Sequence, residues 1–549
     1  MEWWKQAIFY EIYPKSFQDT TGSGTGDIQG VIQHLDDLKK LGIKALWLTP
    51  VFPSPMVDNG YDVSDYTDIH PDYGTMEDMK ELIEEGKKRD IRIIVDLVFN
   101  HTSDRHPWFI ESKKDRTNPK SDWYIWKDKE QITNWRSLFG GSAWTYCPER
   151  DQYYLHTFAK QQPDLNWENP QVRQALCEVA GFWKEQGVGG FRMDAVTYIK
   201  KPVYTNGTPD GLDGLVSIHT MTANTPGILD FLHEFKTKVT ENTDLVTIGE
   251  AAGIEPDQMI DWIGNEGVFD MIFEFGHIDL DFCHEERWDA PYPFTLQDLK
   301  KALSASQQMT QTQGWLSLYF ENHDKPRAVS HYFPEVKKTK EAARLLAVLL
   351  YTLRGTPFVY QGQELGLTNV AWPSIDHYND VLSKAQYAHS VHQGATEKQA
   401  LKGVHRYSRD NVRLPMPWDD TWAGGFTDGQ PWLPVFPNYR NQNVRNQRQD
   451  RQSVFHTYVQ LAQLRQKYPV LINGSFTLLA CKDPNLFAYT RKNKQTEAVI
   501  LLNWSVQEIS YPLSWSLGKK ILFDTYEHHQ TGYLQPLEAV IMIKTDDLN

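Results

Sequence analysis

Three carboxylates stand where apolar runs of the sequence stop. Asp194 ends VGGFRMD (188–194), Glu250 ends DLVTIGE (244–250) and Asp324 ends WLSLYFENHD (315–324). Arg192 lies two residues before Asp194, so on a strand it shares that residue's face and is expected to hold the carboxylate ionised, as a nucleophile requires. Glu250, crowded by other negative charge, suits the complementary role of proton donor. One ionised and one protonated carboxyl, acting on a cation-like transition state, is the arrangement that cleaves glycosidic bonds. A single strand-end acid is more often a loop cap or a salt-bridge partner. Three of them, with Arg192, His101 and His323 in similar places, point to chemistry only if the fold brings them together.

That condition sets the architecture. Strand-like runs alternate with amphipathic stretches: AIFYEIY (7–13), IKALWLTP (43–50) after VIQHLDDLKKLG, and IRIIVDLVFN (91–100) after MKELIEEGKKRD. The rhythm of βαβ units and a parallel sheet is interrupted at 103–172, which is rich in Trp, Tyr, Asp, Lys and Gly. It resumes with the runs at 188–194, 244–250, VFDMIFEF (268–275), 315–324 and TPFVYQGQE (356–364). Eight strand candidates favour an α/β fold of the (β/α)8 barrel type, whose C-terminal strand ends converge on one face. The expected units are a catalytic barrel from 1–102 and 173–474, an inserted irregular domain at 103–172 that shapes the pocket, and a C-terminal antiparallel β-sandwich at 475–549. Residues 370–440 form a second excursion rich in Trp, Pro and Gly.

Composition narrows the ligand. The chain has 549 residues and a formal net charge of −15, with a pI near 5.6, so its mean field repels phosphate backbones and anionic lipid. Neither nucleic acid nor membrane is expected as a partner; a small neutral sugar fits better, and the 13% aromatic content supplies flat faces for stacking on it. Cys147, Cys177, Cys283 and Cys481 lie far apart, without metal-ligand or disulfide spacing. The N-terminal MEWWKQAIFYEIYPKSF lacks a signal-peptide pattern and the longest aliphatic run, LLAVLLY (345–351), is short, so a cytoplasmic protein is expected, a monomer or homodimer.

Five motifs in order along nearly the whole chain, DLVFNHTS (96–103), QPDLNWENP (162–170), GFRMDA (190–195), GE (249–250) and ENHDKPR (321–327), resemble the α-amylase clan of glycoside hydrolases. DNGYDVSDY (58–66), FGGSAW (139–144), YYLHTF (153–158) and SRDNVR (408–413) resemble its oligosaccharide α-glucosidase group. The resemblance implies Asp194 as nucleophile, Glu250 as acid/base and Asp324, with His323, as holder of the 2- and 3-hydroxyls of the attacked sugar. It implies Tyr61 stacked on that ring, His101 at its 6-hydroxyl, Phe158 and Arg192 in the same binding set, and Asp58 with Arg409 gripping the non-reducing end. Exo cleavage with retention of the α-configuration follows, with no cofactor required for the chemistry.

Linkage turns on smaller features. In the resembled group the residue after the nucleophile tends to be valine in α-1,6-preferring enzymes and alanine or threonine in α-1,4-preferring ones. Ala195 therefore favours α-1,4 bonds, as in maltose and maltooligosaccharides, with transglycosylation as an accompanying activity. The alternative is an oligo-1,6-glucosidase. Trehalose-6-phosphate hydrolase ranks lower, because Asp279 falls where that group carries a phosphate-binding lysine. Sucrose isomerase ranks with it, and a non-catalytic relative of transporter heavy subunits is disfavoured by the retained carboxylates. Lys325 departs from the glutamine or leucine usual after the HD pair. The loop QDTTGSGTGD (18–27) matches one that often holds a structural Ca2+, with Asp19, Thr21, Ser23 and Asp27 at the ligand positions; with only two carboxylates it reads equally as a metal-free turn.

Overall fold

The computed structural model describes residues 2–281 and 287–545; Cys283 lies outside them. Eight parallel strands form one sheet: Phe9–Ile12, Ala45–Leu48, Arg92–Leu97, Gly190–Met193, Val246–Glu250, Met271–Phe273, Ser317–Leu318 and Thr356–Tyr360. Each is one of the eight apolar runs. The first strand pairs with the eighth, Phe9 opposite Phe358, and a parallel bridge between Ile272 and Leu316 joins the sixth to the seventh. The sheet is thereby a closed (β/α)8 barrel, as the alternation implies. Nearly every strand residue is buried, because helices cover the outside and side chains fill the inside.

Local sequence explains how the site-bearing strands are set. The helix Pro170–Gln186 begins with the Asn169 side chain accepting from the Gln171 N–H and Pro at its first position, and ends at Gly187 in the left-handed region. Its buried stripe of Val172, Leu176, Val179, Ala180 and Trp183 presses the following fourth strand into the barrel wall. At the start of that strand, Gly190 allows the fifth strand to approach closely: a Cβ there would lie 2.1 Å from the Val246 carbonyl oxygen. The strands carrying Asp194 and Glu250 are thus direct neighbours.

The 103–172 segment contains more regular structure than its composition suggests. A three-stranded antiparallel sheet is formed by Trp126–Lys127, Gln152–Leu155 and Trp144–Cys147, and Trp135–Arg136 pairs with Val216–Ser217 from beyond the fourth barrel strand. Its own apolar cluster centres on Trp135, Trp144, Leu155 and Ile218. The 370–440 excursion holds the helices Val381–His392, Glu397–Tyr407 and the short Asp410–Arg413. Near the C-terminus, Ser475–Leu478, Leu486–Lys492, Thr496–Asn503, Lys520–Asp524 and Ala539–Thr545 form an antiparallel five-stranded sheet. The ribbon of Ile509–Ser510 and Tyr533–Leu534 closes a small second core with it, around Leu486, Leu501, Tyr511, Leu534 and Val540. No helix among the described residues is long and apolar enough to cross a membrane.

Candidate active site

The C-terminal ends of the barrel strands surround a pocket of about 240 Å³ lined by Asp58, Tyr61, His101, Phe158, Asp194, Ala195, Glu250, Asp324 and Arg409 among others. All three carboxylates flagged in the sequence share it. Arg192 and His323 stand behind its wall, with 1% and 0% of their surface exposed. Asp324 is not at a strand end: the seventh strand stops at Leu318, and Tyr319 and Phe320 leave the ladder for the core before the chain turns back into the pocket.

Arg192 organises the centre. One guanidinium nitrogen donates to Asp194 Oδ1 at 2.6 Å and to Asp96 Oδ1 at 3.0 Å, and the other lies 2.8 Å from Glu250 Oε1. The Ala195 N–H donates to Glu250 Oε2 at 2.9 Å, which fixes the second carboxyl over the first. Ala195 adopts the left-handed conformation, φ 48°, so the chain turns sharply past Asp194. The expected pairing of Arg192 with Asp194 is present, at 2.6 Å, and burial opposes it. Burial, reinforced by Glu250 and Asp96, pushes the Asp194 carboxyl well above the ordinary range against the pull of Arg192. One guanidinium divided among three carboxyls does not neutralise them all.

Behind the pocket runs a hydrogen-bonded chain absent from the sequence expectations. Glu11 Oε1 lies 2.6 Å from His323 Nδ1, His323 Nε2 lies 2.7 Å from the Tyr61 hydroxyl, and that hydroxyl donates to Asp96 Oδ2 at 3.0 Å. Burial pushes the Glu11 carboxyl well up and the His323 imidazolium down to about 3, so both partners are driven toward their neutral forms. Every link is then satisfied: the Glu11 acid donates to Nδ1, Nε2–H donates to Tyr61, and Tyr61 donates to Asp96. Tyr61 and His323 lie with parallel rings, centroids 5.2 Å apart.

The floor is a network of ion pairs. Arg409 binds Asp58 at 2.9 Å and Asp380 at 2.6 Å, while Arg413 holds Asp324 Oδ1 at 2.5 Å. Burial works against ionisation of Asp324, but the guanidinium groups of Arg409 and Arg413 on Oδ1 outweigh it and leave its carboxyl far below the usual range. Asp58 is buried with Asp324 and Asp62 nearby, and is pushed up to about 6 in spite of Arg409. Gln162 donates to Asp58 and contacts His101 Nε2, and burial lowers the His101 imidazolium to about 4, a neutral ring suited to hydrogen bonding a hydroxyl. The Phe158 ring packs 5.1 Å from that of His101. Asp380 and Arg413 were not singled out in the sequence.

Asp19, Thr21, Ser23 and Asp27 line no part of this pocket. Asp19 accepts from the N–H groups of Thr21, Gly22 and Gly24 and from the Thr427 hydroxyl. Asp27 accepts from Thr20 and caps the following helix through the Gly30 N–H. The Thr21 and Ser23 hydroxyls gather at Asp19 Oδ1, at 2.9 and 3.5 Å, while Asp27 is turned to Thr20 and the helix start.

A closed (β/α)8 barrel with carboxyl groups converging at its strand ends defines the class as that of glycoside-cleaving barrel enzymes. The chain belongs to the α-amylase family: the family's catalytic-domain profile matches residues 11–474. It is 44% identical to an oligo-1,6-glucosidase of Parageobacillus thermoglucosidasius over 97% of both chains. It is 41% identical to a trehalose-6-phosphate hydrolase of Bacillus subtilis (strain 168) over 98% of both. Among solved structures it is similar to an isomaltulose synthase from Protaminobacter rubrum, with a TM-score of 0.95, 38% identity and 99% of each chain covered.

Proposed function

We propose that the protein is an exo-acting, retaining α-glucosidase of short oligosaccharides that prefers α-1,6-linked, isomaltose-type substrates. The observation that carries the exo reading is the pocket floor: the Asp58–Arg409–Asp380 ion pairs close the cavity immediately beyond the carboxyl cluster, leaving room for one terminal glucosyl unit. Glu250 protonates the glycosidic oxygen and Asp194 attacks C1, so that the C1–O bond to the leaving sugar breaks as the Asp194 ester forms. Glu250 then takes a proton from water, which attacks C1 and releases α-glucose. The positive charge developing on the sugar beside Asp194 favours its ionised form, offsetting the effect of burial. Asp324, held by Arg413, accepts from the ring hydroxyls; Tyr61 supplies the apolar platform.

The similarity to an oligo-1,6-glucosidase along the full length favours the α-1,6 bond over the α-1,4 preference expected from Ala195. A second reading stays open because Ala195 does line the pocket, and its short side chain is the feature that pointed to maltose. Initial rates of glucose release from isomaltose, maltose, sucrose and trehalose 6-phosphate, measured side by side, test both. Isomaltose is expected to be fastest. Maltose ahead of isomaltose would reverse the linkage assignment, and no glucose from any of the four would overturn the proposed activity.

A further inference from the structure

Lys325 and its partner Asp279 are more exposed than the residues that grip the far end of the pocket. Asp58, Tyr61, His101 and Arg409 are each at most 5% exposed, whereas the Lys325 and Asp279 side chains are 20% and 33% exposed. Lys325 and Phe275 line the same cavity as the carboxyl cluster, on a wall away from the Asp58–Arg409 ion pair. Lys325 Nζ is held 2.5 Å from Asp279 Oδ1 and lies 4.9 Å from the centre of the Phe275 ring. Asp324 next to it already has Arg413 and Arg409 as cation partners, so the lysine is not needed to neutralise that carboxylate.

We propose that Lys325, anchored by Asp279 over Phe275, is a specificity-determining residue that binds the leaving sugar and selects neutral, hydroxyl-rich leaving groups. The proposal rests on the α-glucosidase reading above. An ammonium group has three N–H donors; Asp279 takes one, which leaves two for a sugar bound in the cavity that Lys325 lines. Asp279 also cancels the lysine's charge, so the pair offers hydrogen bonds without attracting an anion, and a phosphorylated leaving group meets a carboxylate beside the lysine. An aryl leaving group makes no such hydrogen bonds and would be indifferent to the lysine.

The test compares two substrates with the same glucosyl unit. For Lys325→Met, which keeps the length of the side chain, the ratio of kcat/KM for isomaltose to kcat/KM for 4-nitrophenyl α-glucoside is expected to fall by roughly ten- to hundredfold, the loss of a hydrogen bond from a charged donor. A ratio within twofold of the wild type overturns the proposal. Thermal unfolding checks that the variant folds, and Lys325→Gln gives the same comparison should Met not be tolerated. For Asp279→Asn, inhibition of aryl-glucoside hydrolysis by trehalose 6-phosphate relative to trehalose is expected to strengthen severalfold; an unmoved ratio removes the charge-cancelling role of Asp279. Wild-type protein inactive on both glucosides would defeat the α-glucosidase reading itself, whereas active wild type with unmoved ratios defeats this proposal alone.

Discussion

Replacing Asp194 by Asn removes a charge while keeping the shape, and it should make the protein inactive and more stable at once. Arg192 lies within hydrogen-bonding distance of Asp194, Asp96 and Glu250, all in a site where Asp194 is 7% exposed. Like charges crowded in a low dielectric oppose folding, and substitutions that relieve such functional strain commonly stabilise by about 1–2 kcal/mol. The pH dependence fixes the sign. The folded-state pKa of Asp194 is raised by burial, so its contribution to stability is fully present below its unfolded pKa of about 4 and is lost as pH rises through the folded value. The advantage of the Asn variant should therefore be small near pH 4 and grow toward neutrality. Urea unfolding at several pH values measures it, while glucose release should fall by on the order of 10⁴-fold or more. Turnover within tenfold of wild type would refute the nucleophile assignment. A variant less stable by the same amount at every pH would refute the electrostatic argument.

Ala195→Val places a β-branched residue at φ 48°, which should cost about 1–3 kcal/mol in unfolding measurements and shift the maltose to isomaltose rate ratio toward isomaltose by roughly tenfold; an unmoved ratio would remove residue 195 from linkage selection. Glu11→Leu leaves His323 Nδ1 buried without its partner, at about 1–3 kcal/mol of stability, and should lower kcat/KM, whereas Glu11→Gln keeps a donor to that nitrogen and should stay within a few fold; equal losses in the two variants would contradict the proton accounting. Asp58 has a pKa raised to about 6, so it loses its charge as pH falls through that value and KM should rise there. Asp58→Asn should raise KM at all pH and abolish that inflection, which a KM profile between about pH 5 and pH 8 would reveal.

Much of the site was legible because barrel geometry turns a sequence position into a spatial one. An acid at the end of an apolar run, such as Asp194 or Glu250, has to face the rim, so distance along the chain does not matter. Glu11 and Asp96 carried a signal that was not used: each sits inside an apolar strand run, FYEIY and IIVDLV, and a charged residue is almost never fully buried there without a partner. Asp380 and Arg413 had no such mark. They reach the floor from an excursion whose helices were hidden by its Trp, Pro and Gly content, and tertiary contact pairs them with Arg409 and Asp324. The loop at 19–27 reads in two ways, as a metal site and as a metal-free turn. Its Asp19 accepts hydrogen bonds from the loop's own backbone, and local sequence does not distinguish the two readings.

The central claim is that Asp194 forms a covalent bond to the glucosyl unit while Glu250 handles the proton. Incubation with a slow fluorinated α-glucosyl substrate, followed by proteolysis and mass spectrometry, tests it most directly. The account predicts one added fluoroglucosyl group, on the peptide containing Asp194 and absent from Asp194→Asn. Label on a peptide carrying Glu250 or Asp324 in its place, or a first-formed glucose of β-configuration, would contradict it.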